Sequence, residues 1–304
     1  MGIFDRFYYG KAGKADYTED DLPANRLQLF WQVLRVRFWS MMRLNLLQMI
    51  FWIPLIMITA MTISVVLGML NELYDQETVG EMLGSQMLSL LTTYCILLIP
   101  CILITGPSSA AAAFVARNWA RDQHAFLWSD FKDAFKANWK QGLCASAISS
   151  VLPYLLLVGV SFYGQVAQEM PIAVAGQVLM ITAGVIWALS LVFMYPLMVG
   201  YELRVGRLIR NSVLLAVGRL PFAAIIRIAT LLPLLAGALV FFFGSIYGLL
   251  FVALYYLLIG FSLNRLVCAS FANGVFDRYI NPKIEGAPVK MGLRADDDGE
   301  DEEE

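Results

Sequence analysis

Little in this chain is suited to chemistry. It has one histidine, His124, and its four cysteines, Cys95, Cys101, Cys144 and Cys268, never fall at CxxC spacing. A lone histidine in the polar stretch RDQHAFLW reads as surface. Isolated thiols in or beside apolar runs read as small packing residues, not as metal ligands or disulfide partners. Motifs of the forms GxxxxGK(S/T), HExxH and GxSxG and the dinucleotide fingerprint are all missing. An enzyme is therefore not expected, nor any metal, cofactor or nucleic-acid partner. Charge is scarce as well, at 15% of 304 residues. The middles of the first four apolar runs hold no ionisable residue, and an ion-coupled carrier ordinarily needs one.

What the chain does have is apolar length. It is 59% hydrophobic, with a mean hydropathy of +0.65 and several apolar runs beyond the roughly 18 residues that mark a membrane helix. The expected fold is all-α and polytopic, with six transmembrane helices forming three hairpins and with cytoplasmic amphipathic segments between them. The spans fall at about 44–70, 87–105, 141–163, 174–199, 221–243 and 246–263. The last two come from dividing one apolar stretch, too long for a single crossing, at Gly244-Ser245. Residues 1–26 form a cytoplasmic N-terminal segment, 27–275 the membrane domain and 276–304 an acidic, disordered tail. The first 43 residues are too polar for a cleavable signal peptide, so the first span is expected to direct its own insertion. Leu27 to Arg43 reads as one amphipathic helix lying in the interface, with Phe30, Trp31, Leu34 and Phe38 among three arginines.

Charge is also segregated. All 22 Lys and Arg fall in four segments: before the first span, between the second and third, from the fourth into the early fifth, and after the sixth. The three alternate loops have none, which places both termini in the cytoplasm. Arg227, six residues after Pro221, is close enough to that face to snorkel. Eight of the last nine residues are acidic, a self-repelling block that reads as a solvated tail.

Two motifs stand out. Each odd span is preceded by a basic-aromatic segment bearing an asparagine, Asn45, Asn138 or Asn211, and each even span ends near a glycine, Gly106, Gly200 or Gly260. An asparagine there can tie one helix to the backbone of another where water is scarce. Contact with a ligand is the competing role. The second motif is the break Thr105-Gly106-Pro107-Ser108-Ser109 followed by Ala110 to Ala113. A Gly-Pro pair frees backbone carbonyls, and broken helices line binding sites in transporters, so Ser108 and Ser109 could meet a solute hydroxyl. The same residues, four apart as Gly106/Ala110 and Ser109/Ala113, also make a face for close helix packing. A proline in each of the first five spans makes kinks general, so a kink alone nominates no site.

Asn45-Leu46-Leu47, then Thr105-Gly106-Pro107 with its alanine run and arginine-bearing exit, then Phe131-Lys132-Asp133-Ala134-Phe135-Lys136-Ala137-Asn138, resemble the YesL-like integral membrane proteins of Gram-positive bacteria. The resemblance is clearest over residues 30–145 and thinner to 275. It implies a bacterial plasma membrane, six spans and an association with carbohydrate ABC uptake systems and sensor kinases; it implies no activity. Two functions stay open. One is an accessory partner of a sugar permease or sensor kinase in the lipid bilayer. The other is a transporter or channel for a neutral or amphiphilic solute.

Overall fold

The computed structural model describes residues 22–73 and 80–294. The N-terminal opener, most of the acidic first loop and the eight-acid block lie outside the described residues. Within them every regular element is helical: α1 Arg26–Val36, α2 Phe38–Leu73, α3 Gly80–Leu103, α4 Thr105–Trp119, α5 Leu127–Glu169, α6 Val174–Gly200, α7 Val205–Gly218, α8 Leu220–Phe242, α9 Tyr247–Tyr255 and α10 Phe261–Tyr279. A π-helical turn, Tyr256–Gly260, joins α9 to α10 without a break in direction, so the two act as one crossing. Six segments are long and apolar enough to span a membrane. Pro54, Pro100, Pro153, Pro196 and Pro233 all sit inside these helices. Membrane helices tolerate them because neighbouring groups satisfy the freed carbonyls.

Four expected boundaries need correction. Residues 27–43 are not one helix: Asn25 caps α1, its side chain accepting from the Gln28 amide at 2.9 Å, and α1 stops at Arg37, after which α2 begins at once. The helix that carries the third span begins well before 141, since α5 starts at Leu127 and its first three turns expose Ser129, Lys132, Asp133 and Lys136. Hydropathy registers lipid contact, not helicity, so it misses them. The helix of the last crossing continues past 263 to Tyr279. Residues 276–294 are not part of a loose tail: Arg294 donates its amide to the Pro23 carbonyl at 3.0 Å, and Leu293 packs against the core. The turn at Gly244 does divide the fifth and sixth crossings, and its φ of +83° is one that glycine adopts without strain.

The core lies toward the end where the basic segments meet. Helix α4 is its centre, with 12 of its 15 residues buried. Ala110 and Ala113 face a cluster with Val192, Phe193, Met194 and Leu197 of α6 and with Cys268, Ala272 and Phe276 of α10. Ala111, Ala112, Val115, Ala116 and Trp119 face a second cluster with Leu29, Val33, Met41, Leu44 and Leu266. The contacts that gather this end are specific. Arg37 pairs with Asp122 at 3.8 Å. Gln141 of α5 donates to the Leu203 carbonyl at 2.8 Å, and the Tyr201 hydroxyl donates to Asn281 at 2.6 Å.

Candidate functional site: the buried polar layer at the basic end

The chain breaks at Ile104 because Pro107 has no N–H to give the Leu103 carbonyl. Ser146 of α5 supplies the missing donor, its hydroxyl 2.7 Å from that oxygen. Thr105 turns its hydroxyl onto Ile102 at 2.7 Å, and Ser108 onto Thr105 at 2.9 Å. Gly106 and Gly142 bring the two backbones into contact. A β-carbon on Gly106 would collide with the Gly142 carbonyl and the Ser146 hydroxyl, and one on Gly142 would meet Gly106 and Pro107 at 2.9 Å. Pro107 and Ser108 are buried in the same contact, and the Ser109 hydroxyl is enclosed beside the Tyr195 phenol.

The three asparagines do not share one role. Asn45 is fully buried on α2 and completes the π-helical turn. Its amide nitrogen donates to the carbonyls of Tyr256 (2.8 Å) and Leu257 (2.9 Å), and its oxygen accepts from the amides of Phe261 (2.9 Å) and Ser262 (3.2 Å). One carboxamide thus fills the gap in another helix's hydrogen-bond ladder. Asn138, in contrast, donates at 3.0 Å to Ala134 on its own helix. Asn211 is half-buried on α7 and makes no hydrogen bond to a neighbouring helix. Chain pattern places these residues at similar points, but tertiary contacts leave only Asn45 facing an interrupted ladder.

Arginines that pattern alone read as surface or snorkelling are built into this layer. Arg227 donates to the Ala188 carbonyl of α6 at 2.6 Å. Arg265 lies 4.4 Å from the Tyr195 ring centroid. Nearer the basic surface, Arg26 donates to the carbonyls of Ala120 (2.9 Å) and Met291 (3.0 Å) and pairs with Asp277 at 2.5 Å. Asp277 also accepts from Asn281 at 2.7 Å. Among the described residues, Arg121 reaches only the Met291 sulfur, 3.0 Å away, and Arg117 has no hydrogen bond or ion pair, with its Nε enclosed. Burial, and then the nearby charge of Arg121, pull the Arg117 guanidinium down to about 10. Burial also lowers Arg121, and it pushes the Tyr201 phenol up to about 12. Arg117 continues the Ser109/Ala113 stripe at the same spacing of four; that stripe was the one sequence signal that it points inward.

Residues 86–160 match the model of a family described as a protein of unknown function, DUF624. The match takes in α4, Gly142 and Ser146, and so includes the whole repaired break along with Arg117 and Arg121. The YesL-like resemblance is consistent with it. No curated protein and no solved structure matches the chain.

Proposed function

We propose that this is a non-enzymatic membrane protein, seated in a bacterial cell membrane with its basic end in the cytoplasm, that serves as an accessory partner of a carbohydrate permease or its sensor kinase. The observation that carries this reading is the closure of the basic end around α4. Where Gly106 and Gly142 touch, the broken helix has its carbonyls satisfied from within, which suits a scaffold better than a conduit. Orientation is supported by exposed aromatic and basic stripes on the elements that surround α4. Trp31 and Arg35 lie on α1, Trp128, Lys132, Lys136 and Trp139 on α5, and Arg207, Arg210 and Leu214 on α7. Tryptophan and cations in such company favour the headgroup region of an anionic leaflet. The choice of partner rests on the YesL-like resemblance.

Crosslinking in native membranes followed by purification should recover a permease or kinase in stoichiometric amount. In a variant free of native cysteines, Lys132→Cys and Arg207→Cys should resist an impermeant thiol reagent in intact cells, while Glu169→Cys should react. Solute uptake by the purified protein alone in liposomes, lost in Ser109→Ala without loss of stability, would replace this reading with that of a transporter.

A further inference from the structure

Among the described residues, the arginines at the basic end outnumber the acids that could neutralise them. Asp277 is the carboxylate among these that acts on both Arg117 and Arg121, and its two oxygens are already engaged by Arg26 and Asn281. The carbonyls that end α4 offer Arg117 nothing either. Ala116 accepts from Ala120, Asn118 from Arg121 and Gln123, and Trp119 from Asp122. Arg117 lies instead against Gly200, where an added β-carbon would stand 3.2 Å from its Nε. The Nε of Arg117 is enclosed without a partner, and a thioether such as Met291 is a weak acceptor for Arg121. Donors accumulate around the same acid. Asn273 and Ser270 stand one and two turns before Asp277 on its face of α10. Asn273 is 5% exposed with its amide nitrogen unpartnered, and the Ser270 hydroxyl is unpartnered too.

We propose that Arg117 and Arg121 form a binding site for a phosphate group, held by paired guanidinium hydrogen bonds beside Tyr201 and under the Met291 strap. A phosphate offers several charged acceptor oxygens and matches the fork geometry of arginine, so it satisfies both groups at once. The group arrives either as a soluble phosphate or as the headgroup of an anionic phospholipid. This assignment stands independently of any permease or kinase partner.

The test is thermal unfolding of the full chain in an uncharged detergent at constant ionic strength. It is titrated with inorganic phosphate against chloride, and with phosphatidylglycerol against phosphatidylcholine. Ligand bound only by the folded state must raise the melting temperature in step with ln(1 + [L]/Kd). Such a rise with phosphate assigns a soluble ligand, and one with phosphatidylglycerol alone assigns a lipid headgroup. In either case Arg117→Gln should move the onset of the rise to about tenfold higher ligand concentration, the usual worth of a lost charged hydrogen bond. Arg121→Gln, nearer the surface, should show the loss without a folding defect, and Arg117→Lys should restore part of it. No rise with either ligand beyond that in the chloride or phosphatidylcholine control, or one unchanged in both glutamine variants, overturns the proposal. A rise seen only in a chain ending at Arg294 would also overturn it, since the acidic C-terminal block would then be the occupant.

Discussion

The two ends of the bundle spend their polar side chains differently. Toward the end without Lys or Arg, hydroxyls turn back on their own helices. Thr62 bonds Ile58 at 2.9 Å, Ser64 bonds Ala60 at 3.0 Å, and Thr92 bonds Leu88 at 2.7 Å. Only a few reach across, such as Gln177 to the Val160 carbonyl and Thr59 to the Tyr94 hydroxyl. Toward the basic end Asn45, Ser146, Gln141, Tyr201 and Arg227 all bind other elements. Among the described residues, the enclosed polar atoms without partners gather there too, on Gln48, Arg117, Arg227, Ser270 and Asn273 among others. Burying polar groups inside a bilayer bundle specifies which helices meet, because each misplaced group is costly. The end without basic residues relies on lipid-facing apolar surface, which tolerates alternatives. One end therefore sets the arrangement and the other fills the membrane.

Gly106→Leu tests this contrast most severely. The obstacle is backbone, which cannot swing aside, so the loss should reach or exceed about 3 kcal/mol, the top of the range for overpacking. Gly84→Leu, at a glycine with open space around it, should cost far less in the same detergent unfolding assay. Equal losses would erase the difference between the ends. Next comes Asn45→Ala, which strips four backbone groups of their partner and should cost about 2–3 kcal/mol. Ser146→Ala should cost about 1 kcal/mol, and Thr62→Ala less than about 0.5 kcal/mol. A reversal of Ser146 and Thr62 in that ranking would show that cross-helix bonds carry no premium. The smallest effects concern the C-terminal segment. Ending the chain at Lys283 removes the Arg26–Met291 and Arg294–Pro23 contacts and should lower stability by about 1 kcal/mol. Ending it at Arg294 should change stability by less than about 0.5 kcal/mol, as thermal melts of the two truncations would establish.

Hydropathy revealed the six crossings and the turn at Gly244 because lipid contact is a local property of each segment. It had no means of showing that Ser146 replaces the proton donor Pro107 lacks, since the two lie on different helices and nothing in either neighbourhood encodes the meeting. Asn45 was noticeable as a polar residue at a span entrance, yet Asn138 and Asn211 looked the same. What separates them is a gap in a ladder more than 200 residues away. Arg117 sits in a basic stretch and so read as surface; only the spacing of four from Ser109 and Ala113 hinted otherwise. Residues 284–294 hold two glycines and a proline and no sustained apolar run, and so read as part of the tail. They are held because Gly292, at φ +75°, lets the chain press against the Arg121 carbonyl.

The carboxamide of Asn45 also sets an order of events. Its four acceptors and donors belong to residues 256–262, so for most of synthesis the first helix stands in the membrane with that group unanswered. The last crossing, for its part, cannot close its ladder until the first is beside it. A contact of such sequence separation forms late, and it joins the beginning of the chain to its end. Assembly is thereby complete only when the whole molecule has emerged. A chain cut short before the sixth crossing carries an open polar group in its first helix, which marks it as unfinished.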